Sequence, residues 1–264
     1  MDIHIDDKVK LSQAVDLLEN SGLAMRITNY LGKPIEKSMK MLPEKVTGKI
    51  QQASIFSINK ALKIATLSIN TRLKGKKTSN TWHKVLSGTS GAVGGFLGLP
   101  GFIVELPVST AIIMRSILDI ARSFAENIEN IDTQLACLEV FALGGKGYNK
   151  SGQNSEEMYY AVRASFAKSV TDAAKYIAAK GVADESAPVI IKLIAQISSR
   201  FGITVSEKFC AQIVPVLGGI GGAGINLLFL NHFQDMAKGH FIIRELERNY
   251  DKELIENEYR KLVK

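Results

Sequence analysis

The chain has 264 residues, 46% of them hydrophobic and 22% charged, a balance that sustains a packed core and excludes a disordered chain. Its mean hydropathy of +0.06 is too low for a polytopic transporter. Lys and Arg number 33 against 26 Asp and Glu, a net +7, and the two cysteines, Cys137 and Cys210, stand too far apart for a metal-ligand spacing, so neither a disulfide scaffold nor a zinc module is expected.

The surplus charge is concentrated. Residues 33–84 carry 12 basic and 2 acidic side chains, net +10, whereas residues 1–32 sum to −2 and residues 85–264 to −1. That asymmetry points to an anionic partner, either lipid head groups or nucleic acid. The acidic, mixed start Met1-Asp2-Ile3-His4-Ile5-Asp6-Asp7 is unlike a secretory signal, so a cytoplasmic location is expected.

Taken in chain order, almost every segment has helical periodicity. Lys8 to Glu19 carries Val9, Val15 and Leu18, and Leu23 to Leu31 is a second short helix. Pro43 opens a long helix from about Glu44 to Leu73, with Ile55, Ile58, Leu62, Ala65, Ile69 and Leu73 as its apolar stripe and Lys45, Lys49, Lys60 and Lys63 off that stripe. Val85 to Met114 holds one charge, Glu105, and its first half is studded with glycines. Val108 to Glu126 reads as a strong helix, Thr133 to Leu143 as an apolar one, and Gly144 to Ser155 as a loop. Glu156 to Ala179 and Ala187 to Ser198 are amphipathic helices. Phe209 to Gln234 is a second apolar, glycine-bearing run, and Phe241 to Lys264 reads as one solvated surface helix with Ile242, Leu246, Tyr250 and Leu254 on a narrow stripe.

An interior glycine costs a helix about 1 kcal/mol against alanine, so clustered glycines need an offsetting gain. Gly91 with Gly95, Gly94 with Gly98 and Gly218 with Gly222 each repeat every four residues, the small-xxx-small pattern by which helix backbones approach closely. Gly88, Gly91, Gly95, Gly98, Gly218 and Gly222 are therefore the expected packing positions of two hairpins, either buried in a soluble core or placed in a bilayer. The resulting expectation is an all-α multi-helix bundle around two glycine-rich apolar helical hairpins. Residues 1–42 would form an N-terminal helical arm, 43–250 the main domain and 251–264 a charged C-terminal helix end.

At these segments the chain resembles the EcsC family. The likeness runs from Leu42-Pro43-Glu44-Lys45 through Ser87-Gly88, Glu105-Leu106-Pro107, Arg115 and Ile120-Ala121-Arg122-Ser123-Phe124. It resumes at Val214-Pro215-Val216-Leu217-Gly218-Gly219 and Gly224-Ile225-Asn226, and ends with Ala237 and Phe241 to Arg244, covering roughly residues 40–250. The family more often has Asp where Glu105 stands, and glycine where Ala125 stands. The resemblance implies an α-helical, membrane-associated bacterial protein and brings no reaction with it.

Glu105 is costly to bury unless paired. A structural lock with Arg115, and with Asn226 nearby, is expected if the chain turns at Pro107. Lys45, Lys49, Lys60, Lys63 and Trp82 are the expected contacts with an anionic membrane at its inner face, peripheral or partly inserted, or with a membrane protein complex. Two other readings stand beside this one. The first is a soluble interaction module whose basic face binds an acidic protein. The second is a hydrolase using Glu105 with Asp119 or a histidine. Gly219 to Gly224 fits G-x-G-x-x-G but lacks the βαβ context of a dinucleotide site. His4, His83, His232 and His240 share no ligand spacing, so no metal or cofactor is expected, and no nucleic-acid-binding motif accompanies the basic segment.

Overall fold

Apolar residues three and four apart fold as helices throughout the computed structural model, which describes residues 3–20, 22–31, 35–67, 98–143, 147–148, 154–155, 159–180, 186–213 and 221–263. Among these residues the fold is all-α. Its helices are α1 (Ile5–Glu19), α2 (Leu23–Leu31), α3 (Glu36–Lys40), α4 (Glu44–Leu67), α5 (Gly98–Ser123), α6 (Ile131–Glu139), α7 (Tyr159–Lys180), α8 (Pro188–Ile213), α9 (Gly221–Asn249) and α10 (Lys252–Leu262). A 3-10 turn, Val140–Ala142, follows α6. The segment expected as plain loop also contains a short antiparallel ladder, β1 (Gly147–Tyr148) with β2 (Asn154–Ser155).

The core gathers around α4, α5, α8 and α9. Helix α4 packs on α5 and α8, and α9 lies against α1, α5 and α8. Phe141, Phe201, Phe229 and Phe233 interlock at the centre with ring centroids 5.1 to 6.2 Å apart. Such tilted and edge-on pairs add to what their buried area contributes.

Residues 1–42 are not a separate arm. Leu11, Ala14, Val15 and Leu18 of α1 and Leu23 and Ile27 of α2 belong to the same buried cluster as the rest. That stripe leaves Val9 outward and 61% exposed. Nor is the C-terminal segment one surface helix. Asp251 breaks it and caps α10, its carboxylate accepting from the Glu253 and Leu254 amides at 2.9 and 3.2 Å. The break resets the register, so Ile255 and Tyr259 face inward and are fully buried.

Among the described residues two helices, α5 and α8, are long and apolar enough to cross a membrane by length and composition, and about half of each one's most apolar stretch is buried inside the protein. Pro107 lies inside α5 without ending it. Helix α8 continues past Ser198 to Ile213, so the second apolar run is divided between the end of α8 and the start of α9.

Among the described residues the tight contacts at glycine fall at positions other than Gly98 and Gly222. A Cβ on Gly239 would stand 2.6 Å from Leu18 Cγ, so α9 meets α1 there at a distance that only glycine permits. Among the described residues nothing lies within 4 Å of a Cβ placed on Gly98 or Gly222, so no described neighbour packs against either glycine. Gly98 instead opens α5 with φ +55°. Gly88, Gly91, Gly95 and Gly218 lie outside the described residues, as do Ile69, Leu73 and Trp82.

Candidate docking surface

The exposed side of α4 is built by spacing alone. Lys45, Lys49, Gln52, Phe56, Lys60 and Lys63 follow one another at intervals of three or four, which places them within one helical face, and all six are exposed. The inward side carries Ile50, Ile58, Ala61, Leu62 and Ala65, all buried, with buried Ala53 at the boundary next to Lys60. Ile55, expected on the buried stripe, falls at its edge and is exposed. The four lysines expected to act together therefore do share a face. Sequence reasoning missed Phe56 as part of it, although an aromatic residue in register with the lysines was a readable signal. Its ring is 54% exposed and the Lys60 ammonium lies over it, 4.9 Å from the centroid.

Beside this face α5 leaves apolar residues uncovered. Val104 and Val108, one turn apart, are 70% and 45% exposed. Arg115 continues the same outward line, 11 residues beyond Val104 on α5. Between α4 and α5 runs a groove of about 810 Å³ lined by Ala53, Phe56, Leu99, Ile103, Pro107 and Val108 among others, with Lys49 and Lys60 at its rim. Among the described residues that line it, none is acidic.

Glu105 is locked, but by a different partner from the one expected. Lys208 of α8 donates to both of its carboxylate oxygens, at 3.0 and 2.9 Å. The two side chains are 8% and 0% exposed, and the ammonium also sits 4.6 Å from the Phe229 ring centroid and 5.7 Å from that of Phe102. Arg115 cannot take this role because α5 does not turn at Pro107. Ten residues of continuous helix separate it from Glu105 by about 15 Å and turn it to the exposed face. Asn226 serves a neighbouring contact, accepting from Gln212 Nε2 at 3.3 Å, and so joins α9 to α8. The pair Glu105–Lys208 thus bridges the two most apolar helices.

Glu105 and Asp119, one pairing of the hydrolase alternative, are not brought together, and His83 lies outside the described residues. Asp119 lies 14 residues from Glu105 on the same helix, partly exposed and paired with Arg122 at 2.7 Å. His240 is buried in α9, its Nδ1 2.8 Å from the Tyr159 hydroxyl. Around that contact a polar network staples α7, α9, α1 and α10. Arg163 grips Glu247 at 2.7 and 3.0 Å, Tyr160 donates to Glu247 at 3.0 Å, and Tyr259 donates to Glu19 at 2.6 Å. Burial holds His240 well below its usual range, and the positive charges of Arg163 and Arg244 push the same way. Glu139 keeps some contact with solvent, but its surroundings are mostly protein. That burial raises its carboxyl to about 7 against the opposing pull of Arg163 and Arg244. Among the described residues no group of three or more His, Cys, Asp or Glu could hold a metal ion.

The end of α5 carries a feature the sequence hinted at. The Glu126 amide bonds the Ala121 carbonyl and the Ala125 amide that of Arg122, each at 3.1 Å, a Schellman closure with Ala125 at its left-handed position, φ +56°. The turn delivers Glu126 to Arg244, which donates at 2.8 and 3.1 Å, and to Arg248. Burial pushes the Glu126 carboxyl up, but its bonds to Arg244 and Thr133 and the charge of Arg248 outweigh this and leave it below the usual range.

The model of the EcsC protein family matches residues 9–246 of the chain. No curated protein and no solved structure matches the chain.

Proposed function

The chain belongs to the EcsC protein family, and from that premise we propose that it is a non-catalytic, membrane-associated bacterial protein. In this reading it works at the cytoplasmic side and supports or regulates a membrane process such as transport or secretion. Docking begins electrostatically. Each lysine near an anionic lipid surface is worth about 1 kcal/mol, so Lys45, Lys49, Lys60 and Lys63 together favour an anionic over a neutral bilayer by about a thousandfold. Phe56, Val104 and Val108 then enter the interface.

The observation that carries this reading is the shared face. Four exposed lysines and an exposed aromatic ring occupy one side of α4, next to uncovered valines of α5. The Glu105–Lys208 pair favours a peripheral attachment over insertion of α5 and α8, because it joins these helices to each other inside a protein core.

Co-sedimentation with vesicles tests the proposal. Binding that requires anionic lipid, weakens as salt rises and disappears when the four lysines are changed to glutamate supports docking. Binding that survives high salt and an alkaline wash would mean insertion instead. No binding to any vesicle would leave the lysine face to an acidic protein.

A further inference from the structure

We infer that the groove between α4 and α5 takes up a single acyl chain carrying an anionic head, the chain lying along Phe56, Ile103 and Val104 and the head held by Lys49 or Lys60. The inference rests on the docking reading above and deepens it. A face that lies on a lipid surface becomes one that receives one lipid chain.

Three observations converge on this occupant. The groove measures about 810 Å³, within the range of roughly 300–1,000 Å³ typical of small-molecule sites. It is elongated: Lys49 and Lys60 are 11 residues apart on α4, about 16 Å along the helix. Finally, its chemistry is divided, with apolar side chains within, cations at the rim and no acidic side chain among its described lining residues. A hydrophilic anion would leave the apolar lining wet, and a neutral hydrocarbon would leave the two ammonium groups unused. An amphiphile with a negative head satisfies both. The Lys60 ammonium already sits over the Phe56 ring, so one cation is placed where the chain would emerge.

Titration of the 264-residue chain with octanoate, decanoate and dodecanoate below their micelle concentrations tests the inference. Saturable binding is expected, tightening about fourfold per added methylene as each is buried. Dodecanol, which lacks the charge, should bind about fivefold more weakly than dodecanoate. Lys49→Gln combined with Lys60→Gln should bring dodecanoate down to the level of dodecanol. Val104→Trp, at a position exposed enough to spare the fold, should obstruct the groove and weaken dodecanoate at least tenfold. Absence of saturable binding, affinity independent of chain length, or a Val104→Trp variant that binds as tightly as the parent would overturn it. Dodecanoate binding without vesicle binding would sink the docking reading alone. Vesicle binding without dodecanoate binding would sink only this inference.

Discussion

Replacing Lys208 with methionine is expected to destabilise the protein by about 3–5 kcal/mol, because it leaves the Glu105 carboxylate buried without its counter-charge. The magnitude follows from the geometry. The Lys208 side chain is 0% exposed, it supplies both hydrogen bonds to the carboxylate, and the carboxylate itself is 8% exposed and has little water to fall back on. Methionine keeps the contacts with Phe102 and Phe229, so the loss reports the charge and not a cavity. Glu105→Leu alone should cost a similar amount by stranding the ammonium. The double variant should recover most of the loss, since a hydrophobic pair of similar volume avoids both desolvation costs. Urea denaturation followed by far-UV circular dichroism measures all four proteins, and the coupling energy is read from the cycle. Single variants that each lose less than about 1 kcal/mol, or a double variant that loses the sum of the two, would refute the idea that this pair locks α5 to α8.

Three other expectations come from positions described above. Ala125→Gly should stabilise by about 0.5–1 kcal/mol, since relief of the left-handed strain outweighs the added chain entropy of glycine; a thermal midpoint that falls would contradict this. Glu139 has its folded-state pKa raised from 4.5 to about 7, so its contribution is favourable below pH 4.5 and is lost as the pH climbs through 7. Glu139→Gln should therefore flatten a decline of about 2–3 kcal/mol between pH 5 and 8, and identical pH profiles in parent and variant would count against it. Gly239→Ala should cost about 1–3 kcal/mol by pressing on Leu18, while Gly222→Ala should cost nothing; equal effects on the thermal midpoint would remove the distinction drawn between them.

The sequence revealed helices more readily than their meetings. The lysine face of α4 was legible because its residues repeat within one helix, where spacing fixes direction. The lock at Glu105 was half legible. A lone acid in a long uncharged run demands a partner, but Lys208 is 103 residues away, beside Glu207, and reads locally like an ordinary charged pair on a helix surface. Arg115 was closer in sequence and lost because Pro107 does not turn α5. Val104 and Val108 lie in an apolar run whose sequence leaves core and bilayer equally open, and nothing local distinguishes an apolar residue that faces a neighbouring helix from one left uncovered. Ala125 was visible as a departure from the glycine common in the family, and its positive φ gives that departure a physical meaning.

Docking through the α4–α5 face is tested most directly by site-specific labelling. Cys137 and Cys210 are buried, so an environment-sensitive fluorophore can be attached at Val104→Cys on this face, or at Lys168→Cys on the exposed side of α7. On anionic vesicles the emission of the Val104→Cys label should shift to the blue while that of the Lys168→Cys label stays as in buffer. A shift of equal size at both sites, or at Lys168→Cys alone, would contradict the assignment of this face to the membrane.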